Sequence, residues 1–319
     1  MTPNSPLERR SLGSTTMTVT PLCIGTSPLA SMSRLYGYDV DERRAIDTVK
    51  AVFDSPITFI DTSNGYGEDG TAERRIGAAI RERGGLPDGV VLATKVDPDP
   101  ETGDFSGARV RASFAESLER LGVDRVPLLY LHDPERIPFE EAIADDGPVR
   151  ALVRLRDEGR VDHIGVAGGP VGLLGRFLDL GEFEVVLNHN RYTLLDRSAA
   201  ALYASAADRG IGVVNAAPYG GGMLAKGPSV QASYAYGRPD DRIAHAAGQM
   251  QRACAAHGVP LAAAALQFSL RASVVDATAV GVSSPERVAQ TLEYANLAIP
   301  ESLWDELDTL TPPRELWLD

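Results

Sequence analysis

Eight short apolar runs punctuate the chain, and between them lie segments whose apolar residues recur at helical spacing. The runs are PLCIGT (21–26), ITFIDT (57–62), VVLATKV (90–96), VPLLYLHD (126–133), VDHIGVAG (161–168), EVVLNHN (184–190), GIGVVNAA (210–217) and ATAVGV (277–282). Strands apolar on both alternating faces are expected where helices cover both sides of a parallel sheet. Among the intervening segments, DERRAIDTVKAVFDS sets Ala45, Val49, Val52 and Phe53 on one face, and GARVRASFAESLERLG stacks Val110, Phe114, Leu118 and Leu121 before stopping at Gly122. Eight β-then-α units in 319 residues predict an α/β fold of the (β/α)8, or TIM, barrel type. A doubly wound open sheet is the alternative, but it calls for a glycine fingerprint after the first strand, and CIGTSPLAS lacks one.

No linker, low-complexity tract or internal repeat divides the sequence, so one domain over residues 1–319 is expected. The opening LERRSLGSTTMTVTPLCIG predicts an N-terminal β-hairpin turning near GST, ahead of the first barrel strand. From Pro218 to Asp241 the chain is rich in glycine and tyrosine and has no period, which predicts a long loop of the kind that carries function. MTPNSPLERRSLG has no apolar stretch like a signal peptide, and no run is long enough to span a bilayer. Cys23 and Cys254 stand far apart, so a reduced, cytoplasmic protein is expected. The net charge of −13 argues against nucleic acid or an anionic membrane as partner. A small-molecule substrate and a monomer or homodimer suit such a chain. His132, His163, His189, His245 and His257 show no compact metal-ligand spacing, so no metal is expected.

In such a barrel the active site lies at the C-terminal ends of the strands. The second run ends at Asp61 with Tyr66 in the loop beyond, the third carries Lys95, and the fourth ends at His132. Taken singly, each has an ordinary explanation: Asp61 as a backbone-bonding loop aspartate, Tyr66 as a loop aromatic, His132 as a structural histidine. Lys95 is harder to dismiss, because a lysine inside an apolar strand must reach solvent or pair with an acid. Neighbouring strands would bring all four to one rim.

With FIDTSNGYG around Asp61 and Tyr66, LATKV around Lys95 and LYLHDPE around His132, the chain resembles the aldo-keto reductase family. The likeness runs on through VRALVRLRDEGRVDHIGVAGG and SSPERVAQTLEYA, and NRYTLLD and VVNAAPYGGGML point to its sugar- and pyridoxal-oxidising branch. The resemblance implies hydride transfer between a nicotinamide and a carbonyl or alcohol carbon. It implies Tyr66 as the acid or, as a phenolate, the base. Lys95 would lower its pKa, Asp61 would keep Lys95 charged and oriented, and His132 would donate a hydrogen bond to the substrate oxygen.

The resemblance also implies a dinucleotide lying across the barrel mouth. Ala167 and Gly168 stand where many members have a Ser-Asn pair for the nicotinamide carboxamide, which leaves Asn188, His189 or Asn190 to take it over. Ala216 stands near the position of a stacking tyrosine, with Tyr219 as a substitute, and Gly220, Gly221 and Gly222 would bring backbone N–H groups to the pyrophosphate. In GVSSPERVAQT, Arg287 matches an arginine near adenine and the 2′-phosphate, with Ser283, Ser284 and Gln290 as polar neighbours. Gly281 replaces a lysine used for the 2′-phosphate, so of NAD and NADP the expectation leans to NAD. Tyr36, Tyr38 and Trp317 are expected against the substrate. The implied activity is oxidation of an aldose of the L-fucose type at C1. Oxidation of pyridoxal, or general aldehyde and ketone reduction, are alternatives, and a non-catalytic cofactor-binding regulator is an alternative of another class.

Overall fold

The computed structural model describes residues 7–319. Residues 1–6, within the stretch read above as having no apolar run like a signal peptide, lie outside the described residues. Among the described residues ten strands form: β1 (Arg10–Ser11), β2 (Thr18–Val19), β3 (Leu22–Gly25), β4 (Phe59–Asp61), β5 (Val91–Val96), β6 (Val126–His132), β7 (Val161–Gly168), β8 (Val185–His189), β9 (Gly212–Ala216) and β10 (Ala277–Gly281). β3 to β10 pair in parallel in sequence order, and β10 closes onto β3 through Thr278–Leu22 to Gly281–Gly25. The sheet is therefore the closed barrel that the alternating pattern predicts, and the open-sheet alternative falls.

The helices form where the sequence supplies both an apolar stripe and its ends. Asp41 caps Glu42–Phe53 by accepting from the Arg44 N–H at 2.9 Å, and Ala45, Ile46, Val49, Val52 and Phe53 are buried against the sheet. Ser106 caps Gly107–Leu121 in the same way, and Gly122 ends it with φ +68°, the left-handed conformation glycine favours. Burying such stripes contributes roughly 1.5–3 kcal/mol for each fully covered large apolar side chain.

Inside the barrel, Cys23, Phe59, Ala93, Leu128, Tyr130, Val185, Leu187 and Val214 form a packed core. The predicted hairpin is β1 paired antiparallel with β2, and Leu12, Met17 and Val19 plug the barrel's N-terminal end. It is tied there by Ser14 N–H donating to Gly210 O at 2.7 Å and Gly13 N–H donating to Asp276 at 3.1 Å. With that end filled, a ligand is left the C-terminal mouth. The segment expected to be a long loop contains the short helices Gly220–Gly222 and Met223–Lys226 and a bridge between Tyr234 and Gly237, elements too brief to show a period in sequence. Among the described residues no single helix is long and apolar enough to cross a membrane.

Candidate active site

Side chains alternate along a strand, so the residues that share a face with the interior core also face the mouth. Asp61 follows Phe59 on that face, Lys95 follows Ala93, and His132 follows Leu128 and Tyr130. β4, β5 and β6 are consecutive neighbours, and the turn closed by Tyr66 N–H donating to Ser63 O brings Tyr66 over the same rim. Lys95 is only 1% exposed. Its Nζ donates to Asp61 Oδ2 at 2.6 Å, to the Thr62 carbonyl at 2.7 Å and to the Tyr66 hydroxyl oxygen at 3.1 Å. An ammonium has three hydrogens to give, and all three are placed. Because Lys95 donates to the phenol oxygen, the hydrogen of Tyr66 is left for another acceptor. The Tyr66 and His132 rings meet edge to face, 5.6 Å apart at 80°.

The electrostatics depart from expectation at Tyr66. Burial, then the Asp61, Asp133 and Asp97 carboxylates, push its phenol well above the ordinary value. In this environment Tyr66 is a hydrogen-bond donor. Burial also raises the Asp61 carboxyl, opposed by Lys95 and His132.

Behind His132 lie two residues that the reading of the sequence missed. Asp97 Oδ1 lies 2.6 Å from His132 Nδ1, and Ser63 Oγ lies 3.0 Å from the same nitrogen. Ser63 donates its hydroxyl to Asp97 Oδ2, which also accepts from Gly65 N–H at 2.8 Å. A side chain at position 65 would run into this carboxylate, since its Cβ would sit 2.7 Å from Asp97 Cγ. Burial pushes the Asp97 carboxyl up, but His132, Ser63 and Arg136 together bring it down to about 2.

All four residues border a cavity of about 670 Å³ at the mouth. Tyr36, Tyr38, His189, Ala216, Tyr219, Gly221, Gly222, Gly281, Ser283, Arg287 and Gln290 also line it, as do Lys226 and Tyr236, which the sequence did not single out. The other expected residues stand back from it. Asn188 is buried, with Nδ2 donating to the carbonyls of Gly168 and Gly169. Buried Asn190 donates to His189 Nδ1 at 3.1 Å, which leaves Nε2 of His189 to carry the ring proton. Burial lowers His189 to about 4, so the ring is neutral at neutral pH. Gly220 packs behind the loop, where a Cβ would meet the Tyr234 ring at 2.2 Å. Ser284 caps the helix Pro285–Asn296, accepting from Arg287 N–H at 3.3 Å. Trp317 donates its indole N–H to Pro312 O at 3.0 Å, and the tail around it is tied down by Leu318 N–H on Asp196 and by the Arg191–Asp319 pair.

Asp133, Glu135 and His189 bring ligand-type atoms within 4.8 Å of one another. Arg136 pairs with Asp133 at 2.8 Å and Gly169 N–H donates to Glu135 at 3.1 Å, so these carboxylates already have partners.

Residues 21–312 match the aldo/keto reductase family model. The chain is 36% identical to a D-threo-aldose 1-dehydrogenase from a Pseudomonas species, over 84% of this chain and 87% of that protein. It is 30% identical to the pyridoxal 4-dehydrogenase of Microbacterium luteolum, over 94% and 96% of the two chains. It is 32% identical to the L-galactose dehydrogenase of Arabidopsis thaliana, over 96% and 95%. In fold it is similar to an aldo-keto reductase from Bacillus halodurans, with a TM-score of 0.78, 22% identity and 96% and 97% of the chains covered.

Proposed function

The chain belongs to the aldo/keto reductase family and is an NAD(P)-dependent oxidoreductase, and on that premise we propose that it oxidises an aldose of the L-fucose type at C1. The observation that carries the reading of the site is the Lys95 ammonium, buried and shared between Asp61 at 2.6 Å and Tyr66 at 3.1 Å at the edge of the cavity. The sugar reading is supported by the names of two relatives, which act on D-threo-aldoses and L-galactose. A bound nicotinamide dinucleotide supplies the hydride acceptor or donor.

The residues present suit such a group. Gly221 and Gly222, with φ of +72° and +109°, face the cavity with their backbone, and Lys226 adds a cation beside them. Arg287, Ser283 and Gln290 offer polar contacts for the adenosine end, and His189 is the cavity-facing candidate for the carboxamide. Position 281 favours NAD: a Cβ there would sit 2.8 Å from the Pro28 ring, so glycine fits and a lysine for a 2′-phosphate does not. Tyr36 and Tyr38, with rings 5.9 Å apart, would face the sugar.

Tyr66 gives its hydrogen to the reacting oxygen and, in the reductive direction, its proton to the alkoxide. Lys95 makes that loss easier by placing positive charge against the phenol oxygen, and Asp61 holds Lys95 charged. The test is cofactor reduction with NAD and NADP separately, over L-fucose, D-arabinose, L-galactose and pyridoxal, with Tyr66→Phe as control. We expect turnover with an aldose and its loss in Tyr66→Phe with cofactor binding kept. Turnover of pyridoxal alone would overturn the substrate reading. Near-normal turnover in Tyr66→Phe would overturn the site.

A further inference from the structure

β6 ends at His132, and the next residue turns the chain. Asp133 takes φ +41°, a left-handed angle that aspartate tolerates better than most side chains. Its backbone N–H donates to the Ala167 carbonyl on β7 at 2.7 Å, so the turn is fastened to the barrel. One carboxylate oxygen, Oδ2, accepts from Arg136 Nη2 at 2.8 Å. The other, Oδ1, accepts no hydrogen bond from any described residue, and the 3.7 Å to His132 Nε2 is too long for one. Asp133 and Arg136 both border the cavity, beside Tyr66 and His132. Burial pushes the Asp133 carboxyl up, but His132 and Arg136 more than offset it, so the group is ionised at neutral pH. A carboxylate with an uncommitted oxygen therefore stands next to the histidine that the reacting oxygen of a substrate meets.

We infer that Asp133 Oδ1 accepts a second substrate hydroxyl, the one on the carbon next to the reacting carbon, and so makes the site selective for oxygens on adjacent carbons. This rests on the reading of the site given above and deepens it. With the reacting oxygen set between Tyr66 and His132 Nε2, a gauche oxygen on the next carbon lies about one hydrogen-bond length, ~2.8 Å, from it. Nε2, the two substrate oxygens and Oδ1 then form a four-sided figure. Three of its sides are of hydrogen-bond length, and the fourth is the 3.7 Å already present between Nε2 and Oδ1. An ionised carboxylate only accepts, so it gains from a hydroxyl at that place and gives nothing to a methyl or a ring carbon. Arg136 does the holding: by taking Oδ2 it fixes the plane of the carboxylate and leaves Oδ1 for the substrate. Aldoses carry the required hydroxyl on C2. In pyridoxal the neighbour of the aldehyde carbon is a ring carbon with no hydroxyl. The same contact therefore favours the sugar over pyridoxal.

The test compares two substrates that differ only in that hydroxyl. One pair is 2-hydroxypropanal and propanal, reduced with NADH, and the other is L-fucose and 2-deoxy-L-fucose, oxidised with NAD. The quantity read is the ratio of kcat/KM within a pair, and how that ratio changes from parent to variant, so the intrinsic reactivities of the two substrates cancel. Asp133→Gly removes the carboxylate at a backbone angle that glycine adopts without strain. The ratio should fall about 10- to 100-fold, the worth of a hydrogen bond to a charged group. In Asp133→Asn, Arg136 still needs an acceptor, so the amide oxygen turns to it and an NH2 faces the cavity. This variant keeps the shape of the side chain and should show a smaller fall in the same direction. It carries the test if the glycine variant does not fold. An unchanged ratio in the folded variants overturns the inference. So does an equal loss on both members of a pair, which is what a merely structural role for Asp133 would give. If the parent oxidises no aldose, the assigned activity fails, and the aldehyde pair still reads the contact at Asp133.

Discussion

Removing one member of the Asp61–Lys95 pair should cost far more stability than removing both. The two side chains are 6% and 1% exposed, and their 2.6 Å contact lies in the barrel mouth. Breaking such a pair strands a buried charge, at a cost of about 3–5 kcal/mol, whereas replacing the whole pair by neutral groups is often close to neutral. For 319 residues the entropy of unfolding is about 0.7 kcal/mol/K near the midpoint. Asp61→Asn and Lys95→Met should then each lower Tm by about 4–7 °C. In Asp61→Asn the ammonium keeps neutral acceptors, among them the Thr62 carbonyl and the Tyr66 hydroxyl, but loses the carboxylate's charge. The double variant should recover most of the loss, melting within about 2 °C of the parent. All three proteins should be nearly inactive. Thermal melts and the cofactor-reduction assay on the four proteins complete the cycle. If the double variant loses the sum of the single losses, the two groups are not coupled, and the account of Lys95 as an ammonium held by Asp61 fails.

Two further outcomes follow from the same geometry. Arg287→Ala should raise KM for NADP about 10- to 100-fold while changing KM for NAD little, since a charged contact to the extra phosphate is worth about 1.5–3 kcal/mol; equal effects on both cofactors would remove Arg287 from the 2′ position. Asp97, lowered from 3.8 to about 2 in the fold, contributes stability that is fully present above its unfolded value and is lost as pH falls through its folded value, about 2 kcal/mol in all. Acid melts of Asp97→Asn should therefore be flatter than those of the parent between about pH 4 and pH 2, and parallel curves would count against the ionised pairing with His132.

How much of this was legible in the sequence depends on which physical rule places each residue. The barrel strands were legible because burial on both faces leaves a continuous apolar run, as in VPLLYLH and VDHIGVAG. The four residues at Asp61, Tyr66, Lys95 and His132 were legible because three of them end or nearly end consecutive strands. Tyr236 was not. It reaches the cavity because Ala235 and Tyr236 take left-handed φ of +49° and +68° between Tyr234 and Gly237, a tight turn that sequence announces only when glycine or asparagine supplies those angles. Nor was the tail, since Leu318 and Asp319, which follow Trp317, are held by Asp196 and Arg191, more than a hundred positions earlier.

One choice left open by the sequence, and one residue missed in it, were in fact decidable from side-chain alternation. In β8, Val185 and Leu187 belong to the interior core, so the next residue on that face is His189, while Asn188 points away from the lumen and Asn190 lies past the strand's end. It is His189 that lines the cavity. In β5 the same count from Ala93 to Lys95 leads on to Asp97, one residue past the strand's end and still only 2% exposed. An acid there looks like an ordinary loop residue when judged by type. Judged by face, it has to lie under the rim beside the end of β6, where the histidine that ends that strand bonds it at 2.6 Å. The face rule that selects the four rim residues therefore also selects the carboxylate that bonds one of them. A lysine and an aspartate two apart at the end of a barrel strand divide the work: the first bears on the phenol of Tyr66, the second on the imidazole of His132.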